Sequence, residues 1–556
     1  MMDRIILFSK IFFKSSFSFS GIQSAKLNIK GIIKWIIIFI VTFIGLLSYK
    51  ILDLLLKINQ PSIFLSILFL GLAFIVIIQT ILICINLFYN SKDMEHILPL
   101  PIKPIELLIS KFNVLLITIY VTEILFVAVP LIVYGISTHG RLFYYLYTLI
   151  ILILYPILPA ILSCIVVMLF MRLAKYFKNI NNFQNLITII STILILAINF
   201  INIKNINVEN TVITDEVALK KILEANVISE NIGKYFFTIK PTISALTNKN
   251  FFLGLLAIFV ILLITLFFYF IFLTLGNKLY LKGILANLNK VKISKKHKNI
   301  KLKNYNKHNI FLRYIQKEYK LIFRNPIFFS QCVLPVFYIP ILLIGIGFVV
   351  YKSISNVIGN IVDLDSIFSV NIDFKIICIF LGIIQISNFM SITAVTAFSR
   401  DGKNATIAKY LPISLYRQFI YKSIPALFLD MIPSIIIVTI SYFILSKLTI
   451  LYAFIIIFIS LLINIIRIYL LQIIDLKRPK LNWDGEYMVV KTNFNIIISI
   501  ALIGIIVLLL IYFAKAFSIM SLTASVISII IILFTIFIII NIVVKRNEKK
   551  LFSKII

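Results

Sequence analysis

The apolar positions of this chain come in long runs rather than in helical stripes or alternating pairs. Runs such as 63–88 and 494–513 are predominantly apolar over about 20 residues, the length that crosses the hydrocarbon core of a bilayer as a helix. A backbone in lipid must satisfy its hydrogen bonds internally, and these runs lack the alternation of barrel strands. The pattern therefore predicts an all-α fold, a polytopic bundle of membrane helices.

The runs number about twelve and divide into two sets of six, so we predict twelve transmembrane helices arranged as a 6+6 internal repeat. The first set lies at about 32–49, 62–89, 112–136, 143–171, 183–202 and 251–275. The second set lies at about 326–351, 374–398, 423–446, 449–473, 494–514 and 516–544.

Charge changes this picture by giving it an orientation. Only 13% of residues are charged, yet the net charge is +33. Lys and Arg are concentrated in the connecting segments that are cytoplasmic when both termini lie inside. Because they are spread over every inner loop, the predicted partner is membrane lipid and not nucleic acid. Heavy use of Ile, Lys and Asn is typical of an AT-rich bacterial genome, so we expect a multi-pass protein of a bacterial plasma membrane.

A recurring cytoplasmic segment follows the second span of each half. In both copies a Ser-basic-Asp triplet precedes Leu-Pro-Ile, and a Lys lies eleven positions after the Leu. We expect each segment, 91–111 and 399–422, to dock another protein through a short helix whose first turn holds the proline. An interfacial helix that only anchors the loop is the alternative. The residues assigned to this coupling role are Asp93, Pro101, Lys111, Arg400, Asp401, Pro412 and Lys422.

A later cytoplasmic loop, 475–495, is the most distinctive polar stretch of the chain. It sets a tryptophan among acidic, basic and proline residues just outside two predicted spans. A segment that only faces lipid would not have this composition. The residues of this loop motif are Asp475, Arg478, Pro479, Trp483, Glu486 and Lys491.

Together, these three segments resemble permease subunits of bacterial ATP-binding-cassette exporters of the type-2 class, in particular those with two fused halves. The resemblance implies a first half at 1–289 with an extracytoplasmic insertion at 203–250. A basic cytoplasmic linker at 290–307 and a second half at 308–556 would follow. In that family a coupling helix of each half fits against an ATPase.

No G-x-x-x-x-G-K-[ST] phosphate loop occurs anywhere in the chain. We therefore expect a permease subunit of an ATP-driven exporter that is not itself an enzyme. The resemblance implies that ATP and magnesium belong to a partner ATPase, present in two copies. An ion-coupled secondary transporter and a membrane-embedded, lipid-linked enzyme are the alternative functions.

Ionisable residues inside spans are costly and often functional. Glu123 and Asp430 lie in equivalent spans of the two halves and are candidates for a translocation path; structural bonds to neighbouring hydroxyl groups are the alternative. We expect Arg467 to be an anchor that reaches toward the inner interface. The cysteines and histidines lack the spacing of a ligand set, so no metal site is predicted.

Overall fold

The computed structural model of the chain describes residues 2–16, 27–57, 61–89, 101–173, 182–186, 188–190, 193, 238–248, 250–294, 310–358, 373–445, 447–483, 486–491, 493–517 and 520–553. Within these ranges the secondary structure is helical and contains no strand, which confirms the all-α prediction.

Two of the helices up to residue 294 continue into π-helical turns, at Ile85–Tyr89 and at Ile124–Ala128. They are α1 (Met2–Ser16), α2 (Leu27–Lys57), α3 (Ser62–Cys84), α4 (Pro104–Glu123), α5 (Val129–Ser137), α6 (Leu142–Leu154), α7 (Ile157–Arg172), α8 (Ile239–Thr247) and α9 (Phe251–Ser294).

The helices from residue 310 onward are interrupted by a 3₁₀ segment, Ser399–Lys409. They are α10 (Ile310–Arg324), α11 (Pro326–Phe328), α12 (Leu334–Ile358), α13 (Phe374–Ser387), α14 (Leu415–Ile444), α15 (Ile450–Lys477), α16 (Glu486–Lys491), α17 (Asn495–Ala516), α18 (Leu522–Arg546) and α19 (Glu548–Phe552).

Nine helices in the described part of the chain are long and apolar enough to cross a membrane. They run over Ser62–Tyr89, Pro104–Glu123, Leu142–Arg172, Phe251–Leu281, Pro326–Gly345, Leu415–Ile444, Ile450–Lys477, Asn495–Ala516 and Leu522–Arg546. The twelve-span, 6+6 arrangement is therefore not confirmed. Most of the predicted span 183–202 and of the insertion 203–250 lies outside the described residues, as do 295–307 of the linker.

The predicted span 374–398 is a helix only as far as Ser387. Residues 388–398 continue as buried turns, because polar side chains here bind partners on other helices. The amide of Asn388, for example, donates to the backbone carbonyl of Asp430 at 3.3 Å. Irregular backbone at membrane depth is tolerated where protein surrounds it.

The chain divides into two compact units. The first contains residues 1–16, 37–297 and 344–364, and the second contains 17–36, 298–343 and 365–556. In the first unit, α3 is largely buried and packs on α7. In the turn just before α7, the Tyr155 hydroxyl donates to the carbonyl of Phe69 at 2.7 Å.

In the second unit, α15 is the helix that positions the polar groups. Ser460, Asn464, Arg467 and Asp475 are all buried, and their spacing of three, four and eight residues places them on one face. Because the rise of a helix is 1.5 Å per residue, Arg467 and Asp475 lie about 12 Å apart along its axis. This face therefore carries two separate polar sites within an apolar bundle.

Candidate functional site

Four charged side chains of the second unit form what we term the Lys422 cluster: Lys317, Glu318, Asp401 and Lys422. The ammonium group of Lys422 lies 2.9 Å from Glu318 Oε1 and 2.7 Å from Asp401 Oδ2. Lys317 Nζ lies 3.1 Å from a carboxylate oxygen of each. Two cations thus face two anions, so the cluster is neutral.

Three elements converge in this cluster. Lys317 and Glu318 are on α10, Asp401 is in the 3₁₀ segment and Lys422 is on α14. Lys317 and Glu318 are successive residues of an amphipathic helix and so point in different directions: the side chain of Glu318 is 1% exposed, and that of Lys317 is 50% exposed. Lys422 is 2% exposed, and its ammonium also donates to the carbonyl of Ala397 at 2.9 Å. The cluster therefore ties α10 and the 3₁₀ segment to a transmembrane helix.

Electrostatics in the cluster favour the charged form of Asp401. Burial opposes ionisation, but the ammonium groups of Lys422 and Lys317 outweigh it and lower the pKa of Asp401 to about 2. Asp401 is therefore an anion at physiological pH.

A second set of contacts, the Asp475 clamp, holds the start of the 3₁₀ segment against the loop 475–495. The Asp475 carboxylate accepts from the backbone N–H groups of Phe398 and Ser399 at 2.7 and 3.0 Å. It also accepts from the Ser399 hydroxyl at 2.5 Å and the Asn495 amide at 3.3 Å. One buried carboxylate thus binds two stretches of chain that are far apart in sequence.

Trp483 completes the clamp. Its indole Nε1 donates to the carbonyl of Ser399 at 3.1 Å, and its ring lies over Gly402. Gly402 has φ 54° and ψ −134°, and a Cβ added there would lie 2.7 Å from Trp483 Cζ2. Only glycine combines this backbone conformation with so close an approach.

The predicted coupling residues of the second half therefore turn inward, with one exception. Arg400 is buried and donates to the Thr393 carbonyl at 2.6 Å and the Thr396 hydroxyl at 3.0 Å. Pro412 is exposed, but it does not begin a helix. The helix begins at Leu415 with Ser414 as its cap, so the short helix expected up to Lys422 is instead the first part of the long α14.

Sequence reasoning did not identify the outward face of this segment. Tyr410 is 80% exposed and Ile407 is 52% exposed, and the exposed Pro412 follows them in the chain. We call Ile407, Tyr410 and Pro412 the 407–412 ridge. A patch of exposed apolar side chains marks an interaction surface more often than a lone exposed apolar residue does.

The loop motif is only partly brought to this site. Arg478 takes part through its carbonyl, which accepts from the Asn495 amide at 3.1 Å, and Pro479 follows it directly. Glu486 begins α16 and has no ion pair with the described part of the chain, and Lys491 ends that helix. Asp475 and Trp483 are the motif residues whose side chains form hydrogen bonds with the start of the 3₁₀ segment.

In the first unit, the lysine that aligns with Lys422 makes a corresponding contact. Lys111 is fully buried, and its ammonium donates to the carbonyl of Leu87 at 2.7 Å. The ring of Phe12 lies 5.3 Å from Lys111 Nζ, as the ring of Phe398 does from Lys422 Nζ. Asp93 lies outside the described residues, and Pro101 is exposed in extended chain because α4 begins at Pro104.

The two candidate path residues differ in their surroundings. Asp430 forms an ion pair with Arg467, with Nη2 to Oδ2 at 2.6 Å, and also accepts from the hydroxyl of Ser391. Arg467 is buried at 1% exposure, so the prediction of an anchor at the interface is wrong: it is the counter-ion of Asp430. Glu123 is buried with no hydrogen-bond partner on either carboxylate oxygen among the described residues.

Comparison with known proteins gives one finding. The family model described as "Putative ATP-binding cassette" matches residues 18–545. No curated protein and no solved structure matches the chain.

This match contradicts three predictions. We expected a permease subunit that works with a separate ATPase, a chain that is not an enzyme, and ATP and magnesium confined to a partner. The description of the family is that of an ATP-binding cassette, which points to an ATPase-type chain. It supports the expected relation to ABC transporters, but neither the permease nor the exporter assignment.

The residues present do not fit ATP through a phosphate loop. The sequence has no G-x-x-x-x-G-K-[ST] segment. In the described ranges Gly402 is the one glycine with positive φ, and the ring of Trp483 fills its open side. The neighbouring Arg400 and Lys422 are already bound within the chain.

Proposed function

Since the chain belongs to this ATP-binding cassette family, we propose that it is the membrane-embedded part of an ATP-binding-cassette transport system, with the 407–412 ridge as the surface that docks other components. The observation that carries the proposal is the contrast within one segment. Arg400, Asp401 and Lys422 are held inside the second unit, while Ile407, Tyr410 and Pro412 face outward beside the exposed Lys403 and Lys409.

The way the segment is held supports its role in transmitting movement. The Lys422 cluster connects it to α10 and α14, and the Asp475 clamp connects it to α15 and α17. A force applied at Tyr410 would therefore reach several membrane helices without passing through a flexible linker. Buried, charge-assisted contacts suit this role because they are strong and have defined geometry.

In the first half, we propose that the segment around Pro101 and Lys111 is the corresponding docking element. The ammonium of Lys111 and that of Lys422 each donate to a carbonyl near the end of the preceding apolar run. Shared lysine contacts at aligned positions support an internal repeat with bounds near 1–289 and 308–556. Glu123 is buried, and neither of its carboxylate oxygens has a hydrogen-bond partner among the described residues; it remains our proposal for a residue of the translocation path.

The proposal is tested by co-purification of the tagged full-length protein from its native membrane. Ile407→Asp and Tyr410→Asp place charge on exposed positions, so folding should be retained while docking is lost. Met520→Asp is the matched control, because Met520 is an exposed apolar residue in the loop between α17 and α18 at the other end of the unit.

We expect ABC-transporter components to be recovered with the wild type and with Met520→Asp, and to be lost with the two ridge variants. Equal recovery from all four proteins would refute the assignment of the ridge. If the wild type brings down no such component under gentle detergent conditions, the transport-system proposal itself fails.

A further inference from the structure

An apolar groove of about 340 Å³ lies between α13 and α17 in the second unit. Its walls are formed by aliphatic side chains such as Ile379, Ile383, Val507 and Leu510. Gly382 also lines it, and a Cβ added at Gly382 would meet no atom within 4 Å. The groove is therefore open space along a pair of membrane helices, with room for a linear apolar chain.

Two lysines line one end of this groove. Lys375, in the first turn of α13, and Lys515, in the last turn of α17, are both among the lining residues. The rings of Phe374 and Phe517 pack edge to face at the same end, with centroids 6.0 Å apart. Asp373 is exposed and precedes α13, but it does not line the groove. Aromatic and basic residues together mark the level of lipid headgroups.

The length of the groove also fits a lipid. From Lys375 to Ile386 the axis of α13 rises by about 16 Å, which is close to half of a hydrocarbon core of about 30 Å. A polar solute would gain nothing from the aliphatic walls. A zwitterionic lipid would bring its own cation to the two lysines. We infer that this groove holds one acyl chain of an anionic phospholipid, with its phosphate between Lys375 and Lys515.

The selectivity must come from the headgroup, because lipid tails are as apolar as the groove itself. A basic residue near an anionic headgroup contributes about a five-fold preference in binding. The two lysines together should then give a preference of about 25-fold over a zwitterionic lipid with the same acyl chains.

The test uses the full-length protein in phosphatidylcholine nanodiscs that contain a trace of photoreactive lipid. The probe is phosphatidylglycerol with a diazirine in one acyl chain, compared with phosphatidylcholine carrying the same chain. After irradiation, labelled peptides are identified by mass spectrometry. We expect phosphatidylglycerol to label residues 379–386 and 507–511 at least ten-fold more than phosphatidylcholine does, a lower bound on the estimated preference.

Two sets of variants make the test specific. Lys375→Gln/Lys515→Gln should bring the labelling by phosphatidylglycerol down to the level of phosphatidylcholine. Gly382→Leu should abolish labelling by both, because its side chain fills the groove. Gly347→Leu is the matched control: a Cβ added at Gly347 also meets no atom within 4 Å, and Gly347 does not line the groove.

Equal labelling of the wild type by the two lipids would overturn the inference, as would labelling that Gly382→Leu leaves unchanged. If Gly382→Leu does not fold, the lysine variant decides on its own, since both lysines lie at helix ends where glutamine is tolerated. Undiminished phosphatidylglycerol labelling of that variant then refutes the headgroup site.

Discussion

Replacing Lys422 by methionine should destabilise the protein far more than the same replacement at Lys317. Both lysines contact Glu318 and Asp401, but Lys422 is 2% exposed and Lys317 is 50% exposed. Removing one partner of a buried ion pair costs about 3–5 kcal/mol, because the other charge stays buried and uncompensated. An exposed pair contributes about 0–1 kcal/mol. The expected difference is therefore at least about 2 kcal/mol.

The assay is unfolding of the purified protein in detergent, followed by tryptophan fluorescence. Methionine is chosen because it keeps the length and flexibility of the lysine side chain without its charge. For a total stability of about 5–15 kcal/mol, the Lys422→Met loss is a large fraction and should move the midpoint clearly.

A double variant checks the electrostatic reasoning. Lys422→Met with Asp401→Asn removes one charge of each sign and leaves the Lys317–Glu318 pair. It should be more stable than Lys422→Met alone by about 2 kcal/mol, because the buried carboxylate no longer lacks a cation. Equal losses for the two single lysine variants, or simple additivity in the double variant, would refute the account of the Lys422 cluster.

Three further predictions concern the 3₁₀ segment. The pKa of Asp401, lowered to about 2 from an ordinary value of about 3.9, means that its stabilising contribution is complete above about pH 4 and is lost as the pH falls through about 2. Unfolding midpoints measured over this pH range should show this loss of stability in the wild type and not in Asp401→Asn. The same pH dependence in both proteins would contradict the lowered pKa of Asp401. Gly402→Ala should lower the free energy of unfolding by more than about 1 kcal/mol. Adding Trp483→Ala to this variant should recover only the part of the loss that comes from the clash with the indole ring. Full rescue would show that the positive φ imposes no strain. Asp475→Asn should speed amide exchange at Ser399 by about ten-fold or more, measured by mass spectrometry, since a charge-assisted bond contributes about 1.5–3 kcal/mol; unchanged exchange would exclude the clamp.

The sequence predicted the helical fold and the approximate position of its apolar runs. It also identified Lys111 and Lys422 by spacing alone, and each proves to be a buried lysine that donates to a carbonyl near the end of the preceding run. Spacing could reveal this because each lysine lies the same number of residues beyond a proline, in two segments of similar sequence pattern.

What the sequence could not predict is which side chains meet. Asp430 and Arg467 are on different helices, so only the packing of α14 on α15 reveals their ion pair. The polar spacing along α15, from Asn464 to Arg467 to Asp475, is visible in the sequence and could have indicated a buried polar face. Glu318 could have been recognised in a similar way, because it is an acidic residue within an amphipathic stretch.

The predicted span 374–398 shows the limit of hydropathy most directly. Its apolar average favours one continuous helix, yet the helix ends at Ser387 because Asn388 bonds to another element. A window average cannot register the cost of leaving such an amide unpaired in an apolar interior, about 1–3 kcal/mol.

The charge balance inside the second unit has an electrical consequence. In the Lys422 cluster two ammonium groups match two carboxylates, and Arg467 matches Asp430. Moving one unbalanced elementary charge across a membrane potential of 100 mV involves about 2.3 kcal/mol of work. A rearrangement that carries these neutral groups together through the field therefore does almost no electrical work. We expect such movements of this unit to proceed equally in energised and in depolarised membranes.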